Sequence, residues 1–229
     1  MFVRRAVLHL LTTILFASST TRAALINRTI DDTFGDSVTG EKPVYLPASP
    51  WDGPGCTACA ITPNKTLAFD GTWTAATYNP SLFNNMNISF SFTGNFSSLT
   101  TRWLLLISLI FANLFSFTGV SIWIFFILSN ANFLVTLNTE CNFTLDGQVV
   151  GNFYHLPNES TYALQYNALA FSASGLSNSQ HDLVISTNDL QNAAYVNFDY
   201  AVYTYVYSVS LCVHFCSPNI NLGSMTLRL

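Results

Sequence analysis

Between Trp103 and Leu128 the chain carries no charged residue, and the next one along is Glu140. The run exceeds the ~20 apolar residues that cross a bilayer as a helix. Hydropathy alone therefore reads a membrane span through about 103–128. Three features oppose that reading. A single span puts the glycosylation sequons at Asn64 and Asn87 on one side of the membrane and those at Asn142 and Asn158 on the other. It also leaves strand-like segments on both sides, each too small for its own core. Only Arg102 stands near the flanks, where a cytoplasmic end carries a basic cluster.

The alternative is that 95–119 does not belong to the fold. The tetrapeptide Ser-Phe-Thr-Gly occurs at 91–94 and again at 116–119. With 95–119 removed, NISFSFTG runs into VSIWIFFIL. Ile88, Phe90 and Phe92 alternate in the first piece, and Val120, Ile122, Ile124 and Phe126 in the second. Both are period-2 strand patterns, with a glycine at the turn. The ends of the segment also translate as splice signals. Gly94-Asn95 can encode a GTAA donor, Ala112-Asn113 a CTAAC branch point, and Phe117-Thr118-Gly119 a CAG acceptor. Pyrimidine-rich message encodes Phe, Leu, Ile and Ser, so an in-frame intron read as protein is oily for that reason. Residues 95–119 are accordingly read as a retained intron, with a transmembrane helix as the alternative. Internal duplication ranks last, since nothing beyond the tetrapeptide repeats.

The N-terminus, MFVRRAVLHLLTTILFASSTTRAA, has a basic start at Arg4 and Arg5 and an apolar stretch from Ala6 to Ala17. Thr21-Arg22-Ala23 then supplies small residues at the cleavage positions. Residues 1–23 read as a secretory signal peptide, which makes the expected location extracellular, with single-pass membrane attachment as the alternative. Only 9% of the chain is charged, half is hydrophobic, and the formal net charge is −4, so nucleic acid is not the expected partner.

Secretion sets the redox context for five cysteines. Cys56 and Cys59 lie in GPGCTACAITP, a CxxC among turn-formers. No second CxxC or histidine pair accompanies it as a zinc site requires, so a local disulfide is expected. Parity leaves one of Cys141, Cys212 and Cys216 unpaired. Cys212, His214 and Cys216 form CVHFC within an expected irregular tail, 206–229, and are not read as a metal cluster. The sequons at Asn27, Asn64, Asn87, Asn142 and Asn158 are candidate glycosylation sites; a sixth, Asn95, falls inside the oily segment.

From Ile30 to about Tyr205 the chain reads as short strands between turn clusters, with no capped amphipathic helix. In ECNFTLDGQVVGNFYH, Phe143 and Leu145 alternate with polar residues, Asp146-Gly147 is a hairpin turn, and Val149 to Phe153 returns. Leu183-Val184-Ile185 forms a further strand. In VNFDYAVYTYV, Val196, Phe198, Tyr200 and Val202 are expected on one face. The expected fold is an all-β antiparallel β-sandwich or jelly roll over 30–205, interrupted by 95–119 and preceded by a signal helix.

At IDDTFGDSVTGEKPVYLP, PWDGPGCTACAITPNKTLAFDGTWTAATY, FTLDGQVVGNFYH and VNFDYAVYTYV the chain resembles a large basidiomycete fungal family of secreted and single-pass surface proteins. The resemblance covers most of Ile30 to Tyr205. It implies a β-sandwich ectodomain, similar in architecture to galactose-binding-like jelly rolls, in which the FTG strand runs directly into an aromatic-rich strand. Relative to that pattern, this sequence reads without a stalk or membrane anchor.

Chemical motifs are few. FGDSVTG resembles the first block of GDSL-type esterases, with Ser37 as nucleophile, but polar residues precede it. The nearest late candidate partner is Asn178-Ser-Gln-His181, which lacks the aspartate. Asp31, Asp32 and Asp36 read as a solvated turn rather than a calcium loop. His155 and His181 read as isolated loop residues. Trp51, Trp73 and Tyr78, with Asp52 and Asp70, are the candidate platform for a sugar ring, or else they close one end of the core. The expected function is non-catalytic: a secreted or surface module whose partner is a glycan, with no metal and no cofactor. The alternatives are an ectodomain separated from its anchor and, last, an esterase.

Overall fold

The computed structural model describes residues 21–94, 120–130 and 135–210. Residues 1–20, most of the expected leader, lie outside these, as do 95–119 and 211–229. The chain divides into two compact units, 1–24 with 208–229, and Leu25–Tyr207. The second is the sandwich.

Among the described residues eleven strands run in chain order: β1 (Thr21–Asp31), β2 (Gly35–Asp36), β3 (Val44–Leu46), β4 (Thr74–Tyr78), β5 (Asn87–Thr93), β6 (Val120–Leu128), β7 (Thr139–Leu145), β8 (Gln148–His155), β9 (Gln165–Leu176), β10 (Gln180–Ser186) and β11 (Ala194–Ser210), with one 3-10 turn at Phe69–Gly71 before β4. They form two antiparallel sheets. The six-stranded sheet has the order β2-β1-β11-β6-β9, with β4 also paired to β11; the five-stranded sheet has the order β3-β5-β10-β7-β8.

The alternating residues explain the layers. Ile88, Phe90 and Phe92 of β5 and Ile122, Ile124 and Phe126 of β6 all enter one core. Phe126 joins the sheets there, meeting Phe143 at 6.5 Å and Phe153 edge-on at 5.9 Å. Each such ring taken from water stabilises the fold by about 1.5–3 kcal/mol. Asp146 and Gly147 both have positive φ, 51° and 77°, as a two-residue hairpin turn between β7 and β8 demands.

Gly94 follows β5 and lies beside Val120, the first residue of β6 in the opposite sheet. Its N–H donates to Ser179 O and its carbonyl accepts from Val206 N. A Cβ placed on Gly94 would collide with the Val120 side chain and lie 3.3 Å from the Val120 Cβ, so the residues on either side of 95–119 are neighbours in space. Among the described residues no helix is long and apolar enough to cross a membrane. Of the stretch read above as a possible span, 120–128 is strand β6.

Three expectations are corrected. Inward alternation in β11 does not continue past Phe198. The ladder to β6 shifts register between Phe198 and Tyr200, and Ala201, Tyr203 and Tyr205 enter the core while Tyr200 and Val202 face outward. Second, β11 runs on to Ser210 where an irregular tail was expected from 206, because Val206, Tyr207 and Val209 are strand-forming residues. Third, the two histidines belong to strands: His155 ends β8, and His181 is buried in β10.

Candidate functional site

The aromatic residues expected to form a platform are turned inward. Trp73 packs with Ala75, Ile127 and Tyr195, and Tyr78 with Met86 and Leu190. They are 5% and 3% exposed, so neither ring face is open to a sugar. Trp51 is half-buried against Tyr45, with ring centroids 5.2 Å apart. Trp73 and Tyr78 thus belong to core clusters. Asp52 is exposed and anchored by a two-way backbone bridge to Ala75, each bond 2.8 Å. Asp70 is exposed on the 3-10 turn, in the left-handed region at φ 48°.

Cys56 and Cys59 form a disulfide, with Cα atoms 5.6 Å apart. Among the described residues only Asp52, Cys56 and Cys59 bring three metal-type donor atoms within 4.8 Å of one another, and sulfurs joined to each other are not thiolate ligands. Cys141 is free and buried, and burial pushes its thiol far above the ordinary range. Of the sequon asparagines, Asn27, Asn64 and Asn158 are exposed, whereas Asn87 and Asn142 stand half-buried on strands.

Ser37 is exposed, its Oγ accepting from Thr29 N at 3.2 Å. His181 serves elsewhere. Its Nδ1 lies 2.7 Å from Asp146 Oδ2, and its Nε2 lies 3.3 Å from Ser177 Oγ and 2.9 Å from the Ser177 carbonyl oxygen. The order Asp-His-Ser mimics an acyl-transfer triad. A carbonyl oxygen as the nearer partner, however, needs an N–H on Nε2, and then no lone pair remains to take a serine proton. The contact is a clamp between the β7–β8 hairpin and β10. Hydrogen bonding from His181, foremost, holds Asp146 below the usual carboxylate range.

Two arrangements could act on a ligand. The first is an open groove of about 910 Å³ beside the β7–β8 hairpin. Glu140 on β7 and Tyr154 on β8 are directly opposite in register, and Asn152 stands two residues before the tyrosine. Tyr154 is 54% exposed and Leu156 beside it 66%. Asn138 and Asn192 also line it. Asn138 is fixed, its side-chain Nδ2 donating to Ala193 O at 3.0 Å and its backbone carbonyl accepting from Tyr195 N at 2.8 Å. An accessible ring among amides and a carboxylate can take a polyhydroxylated ligand by stacking and hydrogen bonding. The sequence offered this much: Phe153 faces inward, so its neighbour Tyr154 faces out.

The second arrangement is buried. Asp31, Asp32 and Asp199 are 2%, 2% and 0% exposed, against the expectation of a solvated turn for the first two; Asp36, also buried, bonds Tyr203. The turn folds back because the Asp31 carboxylate accepts from Thr33 N, Phe34 N and Thr72 Oγ1. Asp32 Oδ2 accepts from Thr33 Oγ1 and Thr74 Oγ1. Asp199 is the residue left over at the β11 register shift, and a bulge re-aims such a side chain. It reaches the 3-10 turn, where Phe69 N donates to its Oδ1 at 3.0 Å. The Phe69 ring stacks on Tyr200, centroids 4.4 Å apart, and pins the turn to β11. Burial raises all three carboxyls, Asp32 to about 6 and Asp199 to about 7. The Asp31 and Asp32 charges push Asp199 further up, against the pull of the Phe69 amide.

No protein-family model matches the sequence, and no curated protein does. Among solved structures the chain is similar to a native family 35 carbohydrate binding module from Clostridium thermocellum, at TM-score 0.35 and 14% identity, over 71% of this chain and 98% of that one. It is also similar to the CBM36-1 domain of a multidomain xylanase from the hindgut metagenome of Trinervitermes trinervoides, at TM-score 0.31 and 12% identity, over 57% and 75%. A third is a Paenibacillus cycloisomaltooligosaccharide glucanotransferase complexed with cycloisomaltoheptaose, at TM-score 0.32 and 14% identity. The match covers 51% of this chain and 13% of the glucanotransferase.

Proposed function

We propose that the protein is a secreted or cell-surface, non-catalytic module that binds carbohydrate in the groove beside the β7–β8 hairpin. The observation that carries this reading is the exposed Tyr154 ring set directly opposite Glu140 in an open polar groove. The ring would stack on the apolar face of a pyranose. Glu140 accepts hydroxyl protons there, and the amides of Asn138 and Asn152 donate or accept. Among the described residues the groove offers one carboxylate and several amides, an inventory that supports the binding reading.

The test is a glycan array probed with the purified protein, followed by calorimetry on the hits. Tyr154→Ala should weaken binding at least tenfold, about 1.4 kcal/mol, with the melting curve unchanged. An array without hits, or a variant that binds like the wild type, removes the groove from consideration.

A further inference from the structure

Asp31, Asp32 and Asp199 meet under the 3-10 turn, all nine-tenths or more buried. Among the described residues the one ion pair is His181 with Asp146, so no lysine or arginine offsets these carboxylates. Two oxygens within the cluster have no hydrogen-bond partner at all, Asp32 Oδ1 and Asp199 Oδ2. The residues that carry them are held side by side, Asp32 N donating to Asp199 O at 3.2 Å. Their other oxygens are fixed by Thr74 and by the Phe69 amide, which leaves the free ones as the ends of two braced arms. A buried carboxylate is costly unless paired or bound to a metal.

We propose that Asp32 and Asp199 seat a divalent cation, calcium, between β1, β11 and the 3-10 turn. The available donors are all oxygen: two carboxylates, with backbone carbonyls and water to complete the shell. That set suits a hard cation and not zinc or copper. Calcium fits better than magnesium because the arms come from separate elements, and magnesium demands a near-ideal octahedron that such a seat does not impose. Asp31 adds negative charge beside the seat. Asp70, exposed on the turn, adds its charge to that felt by Asp31. Neither arm belongs to the groove, so the cation site and the glycan reading stand or fall separately.

The experiment uses the full chain, stripped with EDTA and held at pH 8, with calcium titrated in thermal melts and by calorimetry. At roughly a hundredfold excess over Kd the melting temperature should rise by about 5–10 °C. Asp199→Asn and Asp32→Asn should each abolish the rise while keeping the β-type circular dichroism. Should either variant fail to fold, calorimetry on the wild type still decides, with about one calcium per chain expected. A wild-type melt that is identical in EDTA and in calcium overturns the proposal. So does a shift that survives in the double variant, or an equal shift with magnesium.

Discussion

Deleting 95–119, so that Gly94 is followed by Val120, should leave the sandwich folded and more stable. The two residues are already neighbours: a Cβ on Gly94 would lie 3.3 Å from the Val120 Cβ, and one trans peptide holds consecutive Cα atoms about 3.8 Å apart. Gly94 is also tied to the β9–β10 turn through Ser179 and to β11 through Val206, so the corner is fixed from outside the deleted segment. Closing a loop of about 25 residues costs roughly (3/2)RT ln n, about 3 kcal/mol, and the deletion removes that cost. In a domain of this size the gain corresponds to about 6–12 °C in melting temperature. The assay is a pair of calorimetric melts on full-length and deleted protein, with detergent-free extraction as a second readout. A deletion that melts lower than the parent, or that aggregates, refutes the reasoning about the corner. Mapping glycans on the parent adds a check, since sugar on both Asn64 and Asn158 places the two halves in one compartment.

With divalent cations chelated, stability should fall as pH rises from about 4 to 7. Asp32 and Asp199 titrate near 6 and 7 in the folded chain against 3.8 unfolded, so across that window the folded state holds the extra protons. Urea midpoints at pH 5 and pH 8 measure this, and Asp199→Asn should flatten the slope; a protein more stable at pH 8 contradicts it. The Cys56→Ser, Cys59→Ser pair should cost only about 2 kcal/mol, because the closed loop is so short, with the denaturation midpoint as readout. Phe143→Ala should cost about 3–5 kcal/mol, since the ring is 0% exposed and stacks on Phe171 at 4.6 Å; a loss under 1 kcal/mol in chemical denaturation would show that this core is not the one described.

The sandwich was legible wherever one face of a strand is greasy and the other polar. NISFSFT and VSIWIFFIL each reveal their inward residues through strict alternation, and Asp-Gly announces its hairpin. Sequence reasoning failed where a side chain's fate depends on a distant segment. Nothing local tells that Trp73 and Tyr78 are covered, because their cover is Tyr195, Ile127, Met86 and Leu190. The acids of IDDTFGD resemble any polar turn until Thr72, Thr74 and the neighbouring Asp199 are brought over them. His181 looked solitary because its partner Asp146 lies in another hairpin. Alternation was also extrapolated too far in β11, where one bulged residue inverted it.

That bulge sets an arithmetic for the strand's history. Before it, even-numbered positions such as Val196 and Phe198 point inward; beyond it, odd-numbered ones such as Ala201, Tyr203 and Tyr205 do. Loss of Asp199 itself would restore plain alternation and leave both tyrosines inside, whereas loss or gain of one codon between the bulge and Tyr203 would turn them out to water. Changes of two codons preserve parity. Away from the bulge, viable length variants of this strand should therefore differ from one another by even numbers of residues.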